Sequence, residues 1–165
     1  MTKAQFENLI EKWVADFVEN QRGLNLIKIF KGKSISKISH PVLNQMHQSK
    51  LCDFNCDFVA LVEHDIDGFQ LILINRFTKS VGLKDIGEML VYAKMANPLF
   101  AFIISAKGHS TEINNILVND RISMPLFSYD DKSIILFALD KGIKKESVLP
   151  LHMRNFFFEK VDDRD

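Results

Sequence analysis

Two apolar runs, residues 58–62 (FVALV) and 69–74 (FQLILI), separated by a short polar stretch, constrain this chain more than any other feature. Each is too short for an independent helix and is built from aliphatic and aromatic side chains, as a strand would be. The intervening His-Asp-Ile-Asp-Gly is turn chemistry, and its Asp-Gly step tolerates the positive φ of a tight hairpin. The runs are nearly continuous rather than alternating, so the hairpin is expected to be covered on both faces. A hairpin of that kind needs a layer of helices on each side.

The flanking segments supply those layers. Residues 2–20 place Phe6, Leu9, Ile10, Trp13, Val14, Phe17 and Val18 at helical spacing, with Thr2 as the N-cap and Gly23 beyond the end. Residues 24–30 are apolar and fit either an extension of that helix or the start of a strand. The stretch 32–55 is polar; a short strand is expected near 34–38, followed by an irregular or briefly helical connection around Pro41. Gly82-Leu-Lys-Asp opens a second long helix, with Ile86, Met89, Leu90, Ala93 and Ala96 as its buried stripe and Pro98 as its stop. Residues 99–105 read as a buried strand. Ser110 is the expected cap of a further helix through Ile113, Ile116 and Leu117. Residues 124–129 and 133–139 read as short strands around an Asp-Asp-Lys turn, and the segment from Glu146 as a short helix containing Phe156 and Phe158. The order predicts an α/β protein with a mixed central sheet flanked by helices. At 165 residues the expectation is one domain over 1–160 and a charged tail over 161–165.

Lys plus Arg and Asp plus Glu both number 21, so no basic excess argues for a nucleic-acid partner, although charge can still be segregated over the surface. No run suits a signal peptide or a membrane span, which leads to a cytoplasmic expectation without membrane partners. Cys52 and Cys56 are then expected to be reduced thiols.

The segment 57–105 carries the functional signal. Asp57 opens the first hairpin strand; the second strand ends in Asn75-Arg76-Phe77; the following helix carries Glu88 and, one turn on, Tyr92. This order resembles the core of the PD-(D/E)XK nuclease-like, or restriction-endonuclease-like, superfamily. In that family an Asp opens one strand and the next strand bears Asp/Glu-x-Lys, whose alternate residues share a face. The two carboxylates hold Mg²⁺ and the lysine stands beside the attacking water and scissile phosphate. The resemblance assigns Asp57 as the first acid, but places Asn75 where the second acid belongs and Phe77 where the lysine belongs. A neutral amide and a phenyl ring do not replace them.

A relocated site would draw on Asp57 and Glu88 as metal ligands, with Lys79 as the cation and Asn75 and Tyr92 beside them. The resemblance supports Glu88, because a residue on this helix lies near the active site in the family, with a Tyr four positions later. Lys79 shares strand parity with Asn75 but lies about 13 Å along the strand from it, against ~6.6 Å for the usual pair. Arg76 points to the opposite face; Glu63 lies about 20 Å from Asp57; Glu19 is a weaker candidate. The competing reading makes Glu88 a solvated helix residue and Lys79 a strand end. The expected function is therefore a nuclease-derived domain that binds DNA with impaired or absent hydrolysis. The alternatives are an active Mg²⁺-dependent DNA endonuclease, and a structural subunit that binds a protein partner or a second copy of itself.

Two other groupings remain. His40, His47, Cys52 and Cys56 are zinc-capable side chains within seventeen residues, against which stands the plain reading of ordinary side chains. The loop 105–110, with Lys107 and Gly108 before a helix, could present backbone N–H groups to a phosphate, but lacks the spacing of a nucleotide-binding loop and reads more simply as a connection.

Overall fold

In a computed structural model, which describes residues 1–46, 55–117 and 120–158, the chain is α/β with a six-stranded mixed open sheet. Helix α1 (Lys3–Glu19) begins on a capping box in which the Thr2 hydroxyl accepts from the Gln5 amide and the Gln5 side chain accepts from the Thr2 amide. Gly23, at φ 73°, turns the chain into β1 (Leu24–Ser34). The ambiguous run 24–30 is thus a strand. It is an edge strand, bulged between Leu26 and Lys28, which leaves Ile27 exposed.

The strand expected at 34–38 is not there. Strand β1 ends at Ser34, opposite Asn55 of β2 (Asn55–His64), and the chain closes into a 3₁₀ turn over Ile35–Lys37. Pro41 opens the short helix α2 (Pro41–Gln45), where its missing N–H costs nothing. The predicted hairpin is β2 with β3 (Gly68–Phe77), in register from Phe58 opposite Ile74 to His64 opposite Gly68. Helix α3 (Leu83–Ala96) then carries the chain to β4 (Phe100–Ser105), which runs parallel to β3.

Beyond β4 come α4 (Thr111–Leu117) and α5 (Asp120–Phe127). The Ser110 hydroxyl is buried without a partner, so the expected side-chain cap is not made; only the Ser110 carbonyl bonds the Ile113 amide. The strand expected at 124–129 is also corrected. Ser123 and Phe127 are buried four residues apart, a helical repeat, and only Ser128–Tyr129 forms a strand, β5. Strand β6 (Lys132–Ala138) returns parallel to β4, and α6 (Met153–Phe158) closes the described chain.

The sheet order is β1-β2-β3-β4-β6-β5. One face packs Leu71, Leu73 and Ile103 against Ile86, Met89 and Ala93 of α3; the other packs Ile72, Ile74, Phe102 and Phe137 against Phe6, Ile10 and Val14 of α1. Both faces of the hairpin are therefore covered, as its apolar continuity requires. Strands β1, β3, β4 and β6 all end at one edge of the sheet, where β2 begins.

Candidate functional site

The backbone ladder of the hairpin stops at Phe58 and Ile74, and side chains take over. The Arg76 amide donates to Asp57 Oδ2 at 2.8 Å, and the Asp57 amide donates to Asn75 Oδ1 at 3.3 Å. Parity places these groups. Asn75 and Phe77 share the α3 face with Leu71 and Leu73, whereas Arg76 shares the α1 face with Ile72 and Ile74. Its guanidinium accordingly meets Glu7 of α1, with Nη2 to Oε1 at 2.7 Å, and its Nε stands 3.9 Å from Asp57 Oδ1.

On the α3 face, Asp57, Asn75, Phe77 and Glu88 line one cleft of about 290 Å³, together with Gly32, Asn55 and Cys56. Glu88 is on the exposed side of α3, and Tyr92 Oη donates to its Oε1 at 2.7 Å. Burial of Tyr92 pushes its phenol up to about 12, with the hydrogen bond to Glu88 and the Glu88 charge acting in the same direction. The i, i+4 pair is thus a fixed donor–acceptor unit with its proton on tyrosine.

The structure therefore brings Asp57, Asn75 and Glu88 to one cleft, with Tyr92 bonded to Glu88. Lys79 is not among the residues lining it; its side chain is exposed in the turn after β3, where the Ser105 hydroxyl donates to its backbone carbonyl at 2.8 Å. Glu63 and Glu19 lie at the other end of the sheet, Glu63 opposite Phe69 and Glu19 just before the turn in which Gly23 bonds Asp65. Each of the three oxygen donors in the cleft already has a partner within the fold. Asp57 is hydrogen-bonded to a backbone amide and flanked by a guanidinium, the Asn75 oxygen is occupied by an amide, and Glu88 is held by a phenol. Among the described residues, no group of three His, Cys, Asp or Glu side chains is placed to share an ion.

Of the zinc-capable group, His40 caps α2 by accepting from the Val42 amide at 3.3 Å, and Cys56 is buried in the core. His47 and Cys52 lie outside the described residues, as does the tail 161–165. In the loop after β4, the Lys107 and Gly108 amides both donate to Ser105 Oγ at 3.0 Å, so these two N–H groups are already used within the connection.

Sequence reading missed a charged feature that only the strand order reveals. Exposed Lys79, Lys107, Lys141, Lys144 and Lys145 follow the carboxyl ends of β3, β4 and β6, so they gather at the edge of the sheet that also holds the cleft. Asp140 and Glu146 lie in the same loop as the last three lysines, and Asp57 and Glu88 line the cleft itself. The turns at the opposite edge carry exposed Asp65, Asp67, Asp130 and Asp131, with Arg22 and Lys132 beside them. Residues 141–145 (KGIKK) were the available signal, once it was known that a parallel strand precedes them. Compared with known protein families, characterised proteins and solved structures, the chain matches none.

Proposed function

We propose that this chain is a nuclease-derived domain that binds DNA at the carboxyl edge of its sheet and does not hydrolyse it. The observation that carries the binding half is the set of five exposed lysines that follow β3, β4 and β6 around the cleft, set against four exposed aspartates in the far turns. A phosphate backbone is attracted to the first and repelled by the second, which orients it toward the cleft. The lysine-bearing loop 139–147 is well held. Ser147 Oγ accepts from the Ala138 amide at 2.7 Å and donates to the Lys144 carbonyl at 2.6 Å. A site presented on rigid backbone loses less freedom on binding.

The nuclease ancestry rests on the order helix, antiparallel β1-β2-β3, helix, parallel β4, with Asp57 at the start of β2 and Glu88 and Tyr92 on the next helix. The loss of hydrolysis rests on Asn75 and Phe77 and on the bonds that occupy Asp57. One observation favours the active-enzyme reading: Asp57 and Glu88 line the same cleft.

The test measures binding of a short duplex to the full chain as a function of salt. Affinity should fall steeply with salt, and the Lys141→Glu, Lys144→Glu, Lys145→Glu variant should bind at least ~10-fold more weakly with a shallower salt slope. Charge reversal at Asp65, Asp67 and Asp130 should not weaken binding. Undetectable or salt-insensitive association would reject the proposal. Incubation with Mg²⁺ or Mn²⁺ should leave the duplex intact; cleavage that disappears in Asp57→Ala would establish the relocated site instead.

A further inference from the structure

The cleft at the carboxyl edge contains one polar group that the fold leaves unused. Asn75 is only 5% exposed, yet its amide nitrogen has no hydrogen-bond partner among the described residues. Its orientation is fixed, because Oδ1 accepts the Asp57 amide at 3.3 Å and the nitrogen must point the other way. That nitrogen is not one of the sealed, unpaired polar atoms of the interior, so it opens into the cleft that Asn75 lines. A nearly buried amide nitrogen whose only outlet is a cleft marks a place for an acceptor atom.

Two acceptors accompany it. Asp57 is tied to Asn75 by that same amide bond; its Oδ2 takes the Arg76 amide, while Oδ1 accepts no hydrogen bond among the described residues. Glu88 gives Oε1 to the Tyr92 hydroxyl, which holds the carboxylate in place and leaves Oε2 free. Phe77 adds an apolar wall. The volume, about 290 Å³, is near the ~300 Å³ lower limit of small-molecule sites and suits one planar group.

One donor group and two free acceptors discriminate among nucleobases. Along its pairing edge guanine offers the complementary set, the O6 acceptor followed by the N1–H and N2–H donors. Adenine has one donor group and one acceptor there; cytosine and thymine have one donor group and two acceptors, so each leaves a carboxylate unpaired. We infer that this cleft seats an unpaired guanine base, with Asn75 donating to O6 and the Asp57 and Glu88 carboxylates accepting from N1–H and N2–H. In a duplex that edge is already paired, so the base comes from a single strand or a free nucleotide. For a strand the inference rests on the DNA-binding reading, with the lysines holding the flanking phosphates; for a free nucleotide it does not.

Isothermal titration of the full chain, in chelator, with guanosine monophosphate should show saturable binding. Inosine monophosphate lacks the N2 amine and should bind roughly tenfold more weakly, and adenosine monophosphate more weakly still. Glu88→Gln keeps an oxygen for Tyr92 but removes the free acceptor, and Asn75→Asp keeps the oxygen for the Asp57 amide but removes the donor. Each should weaken the guanine nucleotide by about tenfold with an unchanged circular dichroism spectrum. If Asn75→Asp unfolds, Glu88→Gln on its exposed helix face decides. An oligothymidylate carrying one deoxyguanosine that binds more tightly than the mononucleotide, and more tightly than plain oligothymidylate, identifies a single strand; the reverse identifies a free nucleotide. Equal binding of guanosine and adenosine monophosphates, guanine binding unchanged in Glu88→Gln, or no saturable binding together with no guanine preference in the oligonucleotide overturns the inference. Duplex binding that persists beside such a result leaves the lysine edge standing, and loss of duplex binding with guanine nucleotide still bound rejects the lysine edge alone.

Discussion

Replacing Asp57 by alanine distinguishes a structural carboxylate from a metal ligand by the sign of the stability change. Asp57 Oδ2 accepts the Arg76 amide at 2.8 Å, an interaction with a charged acceptor that is worth about 1.5–3 kcal/mol when sheltered. The Asp57 side chain is 38% exposed, so water can replace part of the bond, and the Arg76 Nε contact at 3.9 Å adds little. Arg76 also keeps Glu7. The expected loss is therefore about 1–1.5 kcal/mol, which for a chain of 165 residues lowers Tm by roughly 2–6 °C. Asp57→Asn retains an acceptor oxygen and should lose less. A metal site predicts the opposite pattern. Carboxylates gathered for an ion repel one another without it, so Asp57→Ala in chelator would raise Tm. Magnesium at about 100 times its dissociation constant would add about 2.7 kcal/mol to the wild type alone. Thermal denaturation of both proteins, with chelator and with Mg²⁺, measures every term. A higher Tm for Asp57→Ala, or Mg²⁺ stabilisation confined to the wild type, refutes the structural account.

The chain's two tyrosines should titrate late. Burial raises Tyr92 to about 12, with Glu88 assisting, and burial raises Tyr129 further, so native protein should show no tyrosinate absorbance at pH 10, where unfolded protein is half-ionised. Both native values lie above the unfolded one, so the contribution to stability is constant below about pH 10 and is lost as pH rises through 12; Tyr92→Phe should flatten part of that loss. Tyrosinate appearing at pH 10 in the native protein would contradict the burial argument. Ser105 is fully buried, and its hydroxyl donates to the Lys79 carbonyl while accepting from the Lys107 and Gly108 amides. Ser105→Ala should cost about 3 kcal/mol, a Tm fall of roughly 6–12 °C, and should weaken duplex binding through the two lysine loops it ties together. A stability loss under ~1 kcal/mol would show that the network is not holding them.

What the sequence disclosed follows from where pattern is strong. The hairpin, α1 with its Thr2 cap, α3 with its Pro98 stop, and the strand after it all carry unbroken apolar periodicity, and each is where it was expected. Residues 24–30 stayed open because an edge strand with one solvated side has the same apolar content as a helical turn. Residues 124–129 misled because a short, mostly apolar stretch is compatible with either period; the helix runs through Pro125 and ends at Phe127. Ser110 had the right residue type for a cap, but its hydroxyl is turned into a buried position instead.

The site was legible only as far as strand parity reaches. Alternation correctly separates Asn75 and Phe77 from Arg76, and the helical repeat correctly pairs Glu88 with Tyr92. Parity cannot say that Arg76 returns past the strand end to stand beside Asp57, because that depends on where the ladder stops. Nor can any local pattern add Lys79, Lys107, Lys141, Lys144 and Lys145 into one surface, since 66 residues separate the first from the last. That sum needs the parallel pairing of β3, β4 and β6, which sends all three carboxyl ends the same way. A net charge of zero therefore concealed a lysine-rich rim at one end of the sheet. Because polarity depends on strand direction and composition does not, variants that shuffle these lysines to the far turns would keep charge, pI and fold while abolishing duplex binding. If such a variant binds as the wild type does, bulk charge alone governs association and the oriented edge has no role.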